Sequence, residues 1–286
     1  MSKKRGEKKI EGSTIKMPRK IIETKSQGSC KPTLTILGSG AAIPQEDRNA
    51  PGLLLTDKVK KLYFLIDCGS GVLRQIIRSG NHFTQVSHLF LSHLHVDHAS
   101  DVPALFQAKA LYPSPHDLKI FGPPGTFIFC DAIVRTVFSH LEGRIAFEVV
   151  DIEEGRVVTG PNWEVICTKV NHFEIEAFAY RFEIGNKAVV YSGDTAPCDN
   201  LKKLVIEADL LVHECSYMDD SPQELLRGHS TPSQVAELAQ ACGVKKICLT
   251  HFYPETAKRE EEILQIVRAT FSGEVLIAHD LLQITF

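Results

Sequence analysis

Four side chains able to bind a metal fall within six residues, His93-Leu94-His95-Val96-Asp97-His98, and no other stretch limits so tightly what this chain can become. Upstream, Val86 to Ser92 is a short, mostly apolar run that reads as a strand. Downstream, Asp101-Val102-Pro103 starts a predicted helix through Ala108. A chain leaving a sheet edge can aim His93 and His95 at one point, because alternate strand side chains face the same way. Asp97 and His98 follow the turn and can address a second locus. Imidazole and carboxylate donors suit zinc, iron or manganese, and two loci sharing ligands suit a two-metal hydrolytic centre. A lone His-x-His would read as solvated turn histidines, but here further candidate ligands lie downstream.

The 286 residues suffice for one large domain or two small ones. No apolar run reaches the ~20 residues that span a bilayer, and no apolar segment of signal-peptide type follows the N-terminus. A cytoplasmic protein without membrane segments is therefore expected. The eight cysteines are scattered without a C-x-x-C pair, which fits reduced core residues. Residues 1–31 hold ten Lys or Arg and three Glu, a balance of +7; the whole chain carries −3, so residues 32–286 carry −10. That segment reads as a disordered, solubilising tail, with a phosphate-contacting arm as the alternative reading. The folded domain is expected over 32–286.

Within it, predicted strands and helices alternate. Strands are expected at Leu34 to Leu37, Gly52 to Thr56, Leu62 to Asp67, Leu118 to Phe121, Ile145 to Val150, Arg156 to Thr159 and Trp163 to Val170. A hairpin around Gly185-Asn186 joins Ala177–Ile184 to Lys187–Ser192. Leu210 to Val212, Lys246 to Thr250, Glu274 to Ala278 and Leu282 to Thr285 complete the strands. Helices are expected at Val72 to Ser79, Phe127 to His140, Leu201 to Ala208, Ser233 to Cys242 and Thr256 to Phe271. His93, His95, His172, Asp194 and His251 all fall just past a predicted strand, which is where α/β scaffolds build sites. Asp67 also ends a strand and reads equally as a support for the metal site or as a turn and cap residue.

Taken together, Leu91-Ser92-His93-Leu94-His95-Val96-Asp97-His98, Asn171-His172, Ser192-Gly193-Asp194-Thr195 and Leu249-Thr250-His251-Phe252 resemble the ordered motifs of the metallo-β-lactamase superfamily. The resemblance runs over about residues 33–286. It looks closest to the ribonuclease Z branch, through Leu37-Gly38-Ser39-Gly40, Arg48-Asn49, Asp67-Cys68-Gly69, Val212-His213-Glu214 and Gly228-His229-Ser230-Thr231. It implies an α/β fold, an αββα sandwich with metals at one sheet edge. It also implies two divalent ions, zinc first with manganese or iron admitted: His93, His95 and His172 on one, Asp97, His98 and His251 on the other, and Asp194 bridging. The implied reaction is hydrolysis of a phosphodiester by a metal-activated hydroxide, with Asp97 orienting it, His229 as acid and Glu214 orienting His229. Members of the branch often form homodimers.

Two departures bear on the substrate. Members that process tRNA carry a long protruding arm, which bacterial-type forms insert between the motifs of His172 and Asp194. Here 21 residues separate those positions, room for about one hairpin. The resemblance also implies Lys where Glu46 stands. A small or single-stranded phosphodiester is therefore the expected substrate, with poor cleavage of pre-tRNA. The alternatives are another ester (an aryl sulfate, lactone or β-lactam) and a catalytically silent RNA-binding member.

Overall fold

Strands made of Leu, Ile, Val and Phe with no polar face have to be covered on both sides. The computed structural model, which describes residues 31–112, 114, 116–141 and 147–286, does this with two facing sheets and outer helices. The basic segment 1–30 and the start of the strand predicted from Ile145 lie outside the described residues. The first half of the chain gives β1 (Thr33–Gly38), β2 (Gly52–Asp57), β3 (Leu62–Ile66), α1 (Val72–Arg78), β4 (His88–Phe90), α2 (Val96–Ala99), α3 (Val102–Leu111), β5 (Leu118–Gly122), α4 (Thr126–Val137) and β6 (Phe147–Asp151). The second gives β7 (Gly155–Gly160), β8 (Trp163–Lys169), β9 (Phe178–Ile184), β10 (Lys187–Tyr191), α5 (Asp199–Val205), β11 (Leu210–Glu214), α6 (Gln223–Leu226) and α7 (Pro232–Ala241). The chain then runs through β12 (Lys246–Thr250), α8 (Pro254–Ala257), α9 (Glu260–Thr270), β13 (Glu274–Ile277) and β14 (Gln283–Thr285).

One seven-stranded sheet has the order β14-β1-β2-β3-β4-β5-β6, the other β13-β12-β11-β10-β9-β8-β7. Each has an antiparallel part, then turns parallel at β3–β4 and at β10–β11. Period-2 alternation decides which layer a residue joins. Leu53 and Leu55 of β2, Phe64 and Ile66 of β3, and Leu210 and Val212 of β11 enter the core between the sheets. Leu54 and Leu65 pack under Val72 and Ile76 of α1 and Leu105 and Phe106 of α3, while Leu211 packs with Val235 of α7 and Ile263 of α9.

Three local expectations need correction. The strand expected over 86–92 is β4, only three residues long, because the Ser92 N–H is taken by the Asp67 carboxylate at 2.7 Å instead of a neighbouring strand. His93 and His95 therefore lie beyond the sheet, and strand alternation does not aim them. The helix expected from Thr256 to Phe271 is two, α8 and α9, broken at Lys258-Arg259. The seven cysteines among the described residues are unpaired, and no helix among them is long and apolar enough to cross a membrane.

Candidate metal centre

The parallel strands β4, β10, β11 and β12 all end at one edge, and their C-terminal loops carry the chemistry, as in other open α/β sheets. His93 and His95 lie in the extended segment after β4, and Asp97 and His98 in the first turn of α2. His172 follows β8, Asp194 follows β10, and His251 follows β12 in the left-handed region at φ 63°. Glu214 ends β11, and His229 precedes α7. His93, His98, His172, Asp194 and His251 are buried, while His95 and Asp97 are partly open to the cleft. All seven expected ligands converge, although they span 159 positions of sequence.

Hydrogen-bond accounting shows what the convergence requires. His98 Nδ1–H donates to Asp67 Oδ2 at 2.7 Å. The Ser216 hydroxyl donates to Glu214 Oε2 at 2.7 Å, so it accepts from His251 Nδ1–H at 2.9 Å. Each neutral ring then presents a bare Nε2, and these two atoms face one another at 3.2 Å. Asp97 Oδ2 lies 3.4 Å from both, and Asp194 Oδ2 lies 3.4 and 3.3 Å from them. Four acceptors with no proton among them repel unless a positive charge sits between. A proton can answer the same need: burial alone would make His98 harder to protonate, yet the carboxylates of Asp194 and Asp67 hold it well above the ordinary histidine value. The locus therefore calls for positive charge, from a proton on His98 Nε2 or from a cation in its place. In Asp97, burial is likewise outweighed by His251 and His98, which keep the carboxyl ionised far below its usual range.

A second locus adjoins the first. The Ser92 hydroxyl donates to Asp67 Oδ2 at 2.8 Å and so accepts from His93 Nδ1–H at 3.0 Å. His172 Nδ1–H donates to the Gly228 carbonyl at 2.9 Å. The bare Nε2 atoms of His93 and His172 lie 2.9 and 3.2 Å from His95 Nδ1. Asp194 Oδ2 is 3.9 Å from each of those Nε2 atoms, so one carboxylate oxygen faces both loci. Asp194 Oδ1 is buried without any hydrogen-bond partner, a costly arrangement for a carboxylate unless a cation satisfies it. The triads His93/His95/His172 and Asp97/His98/His251 each gather their donor atoms within 4.8 Å. The donor set fits divalent cations.

Beside the loci, His229 Nδ1–H donates to Glu214 Oε1 at 3.0 Å. Thr195 N–H and Ser230 N–H also donate to that oxygen, and Ser216 N–H and O–H donate to Oε2. So many donors keep Glu214 ionised despite its burial, with His229 adding the charge that lowers it. Burial disfavours the cationic form of His229, but the Glu214 charge outweighs it and raises the ring above the ordinary value. The His229 ring stands 4.9 Å from His172 and 6.0 Å from His251. Asp67, left open between two roles, accepts from His98, from Ser92 N–H and O–H, and from the Tyr191 hydroxyl at 2.8 Å. It therefore orients His98 directly. The sequence alone assigns no supporting role to Ser92, Ser216 or Tyr191; a hydroxyl one or two residues from a histidine or glutamate at a strand end is the signal that marks the first two.

A model of the β-lactamase superfamily domain matches residues 63–252. Ribonuclease Z of Mycobacterium bovis (strain BCG / Pasteur 1173P2) is 31% identical over 270 residues, covering 87% of this chain and 96% of the relative. Ribonuclease Z of an Exiguobacterium strain is 30% identical, covering 88% and 98%. Among solved structures, the short form of human tRNase Z is 26% identical at a TM-score of 0.73, over 88% of this chain and 98% of that one. The Bacillus subtilis metallo-β-lactamase fold protein YhfI has a TM-score of 0.76 at 24% identity, over 90% and 100%.

Proposed function

The chain belongs to the β-lactamase superfamily and, within it, to the ribonuclease Z family, and from that premise we propose a two-metal phosphodiesterase. The observation that carries this reading is Asp194: one oxygen turned to both histidine loci, the other buried and unpartnered. His93, His95 and His172 would hold one divalent ion, Asp97, His98 and His251 the second, and Asp194 both. Zinc is the first choice, since three imidazoles suit it well. Bound there, the ions would supply Lewis acidity, lowering the pKa of water towards ~7 and neutralising charge on phosphoryl oxygens.

This chain's own groups do the rest. Asp67, Ser92, Ser216 and the Gly228 carbonyl fix the rings of His98, His93, His251 and His172 so that a nitrogen of each points inward. Asp97, partly open to the cleft, orients the attacking oxygen. His229, held by Glu214 and kept protonated to higher pH, delivers a proton from its outer nitrogen to the departing oxygen.

The names of the relatives favour RNA as substrate class. The connection between His172 and Asp194 is the single hairpin β9–β10, and an acidic residue, Glu46, stands exposed on the loop before Arg48. Both favour a small or single-stranded phosphodiester over a folded tRNA precursor, because affinity for a folded polyanion comes largely from cationic contacts to phosphate. Cytoplasmic residence and a homodimer accompany this reading, the latter checked by sedimentation. The deciding experiment compares zinc-loaded and chelated protein on bis-p-nitrophenyl phosphate, an aryl sulfate, nitrocefin and a pre-tRNA. Metal-dependent hydrolysis of the phosphate diester with poor, salt-insensitive cleavage of pre-tRNA is expected. Efficient, salt-sensitive cutting at the pre-tRNA 3′ end would restore tRNA processing, and turnover of only the sulfate or nitrocefin would overturn the phosphodiesterase reading.

A further inference from the structure

The turn that follows His172 is built against local preference. Ile175 N–H donates to the His172 carbonyl at 3.1 Å, closing a two-residue turn whose first corner, Phe173, has φ 51°. Gly, Asn or Asp is favoured where a turn needs a left-handed residue, and an aromatic side chain there is strained. Such strain persists where surrounding structure imposes it, and it clusters at functional sites. Burial offsets only part of that strain, since Phe173 stays 47% exposed. Its place is nevertheless fixed. The ring centroid lies 5.2 Å from His172 and 5.7 Å from His229, and the ring lies against Gly228, where a Cβ would come within 2.3 Å of it.

A second aromatic face stands on the His251 side of the same acid. Tyr217 and Tyr253 stack at 5.0 Å and 16°, both partly exposed. Tyr217 meets His229 edge-on at 5.4 Å, and Tyr253 lies 6.2 Å from His251. The group that would protonate the departing oxygen is therefore flanked by rings.

We infer that Phe173, with Tyr217 and Tyr253, forms a stacking site for an unpaired nucleobase next to the bond that is cut, making this ring set the specificity determinant of the enzyme. The inference rests on the phosphodiesterase reading above and narrows it to single-stranded nucleic acid. Every base offers a π-face, so such a site selects an unpaired base without selecting its sequence.

Two measurements test it. In the first, kcat/KM is compared for a short single-stranded RNA and for the same strand carrying an abasic residue on one side of the cleaved bond, then on the other. Base–aromatic stacking corresponds to roughly five- to a hundredfold in affinity, so the intact strand is expected to be preferred by about tenfold or more. Phe173→Asn, which tolerates the left-handed turn, should collapse that ratio towards one, and Phe173→Trp should keep it. The second needs no turnover. In Phe173→Trp, emission above the wild-type Trp163 background should be quenched saturably by adenosine monophosphate and not by ribose 5-phosphate. An unchanged ratio in Phe173→Asn, or equal quenching by both compounds, would overturn the inference. Hydrolysis of bis-p-nitrophenyl phosphate with no cleavage of single-stranded RNA would also overturn it while leaving the phosphodiesterase reading standing. Failure on every phosphodiester alongside base-selective quenching would instead remove the phosphodiesterase reading.

Discussion

For single residues, what decides the chemistry is where protons can sit. Five histidines and two aspartates turn acceptors inward, and the outward Nδ1 atoms of His98, His93, His251 and His172 are tied to Asp67, Ser92, Ser216 and the Gly228 carbonyl. Asp194→Ala removes the oxygen shared by the two loci, so loss of at least one equivalent of metal and of turnover is expected, read by elemental analysis and by diester hydrolysis. Near-normal activity would count against a two-metal site. His229 lies within ligand distance of His172 and Asp194, and its partner Glu214 suggests an acid instead. His229→Ala should keep the full metal content and lose roughly 10²–10⁴ in rate; loss of metal would make it a ligand. The ligands could be read from the sequence because several of them share one placement, just past a predicted strand, where any one alone would read as structural. Asp67 could not be read so far, since an aspartate before Cys68-Gly69 serves a turn equally well. Only the fold brings it against His98, 31 positions away.

Among elements, the buried strands were legible as apolar runs, and the β9–β10 hairpin from Gly185-Asn186, where Gly185 takes φ 67°. The helices α2 and α6 were not, because four residues hold barely one turn and show no periodicity. Yet α2 places Asp97 and His98 on the second locus. Strand β4 holds another feature invisible in sequence: His88 lies nearly parallel to Phe90 and Phe121, at 6.2 and 6.1 Å, and edge-on to Phe64 and Trp163. Burial, with Lys119 and His116 nearby, pushes its pKa down to about 4. Above ~6.5 the ring is neutral folded or unfolded; as pH falls from there the unfolded chain takes up the proton first, so stability drops until about pH 4 is reached. Urea unfolding of wild type and His88→Phe should diverge across that window, the variant losing less, and parallel curves would contradict the assignment.

Across the whole molecule, the C-terminal segment closes the fold. Strand β14 pairs with β1, and just before it Asp280 accepts from Ser39 N–H and O–H, Asn49 N–H and side chain, and the Gln75 amide. Arg48 is buried alongside, donating to Ser39, the Ala278 carbonyl and Glu260. Asp280→Ala should cost about 3 kcal/mol in denaturant unfolding, since it strands several donors around the missing carboxylate; a change under about 0.5 kcal/mol would show that water replaces it. Arg48-Asn49 stood out in the sequence only as part of the family resemblance, and its structural reason lies some 230 positions away at Asp280. The two-locus centre itself is the claim on which the rest depends. Its most direct test is hydrolysis of bis-p-nitrophenyl phosphate by chelator-stripped protein as zinc is added stepwise. Activity should be absent at the start and reach its plateau at two equivalents per chain; a plateau at one equivalent, or activity indifferent to metal, would contradict it.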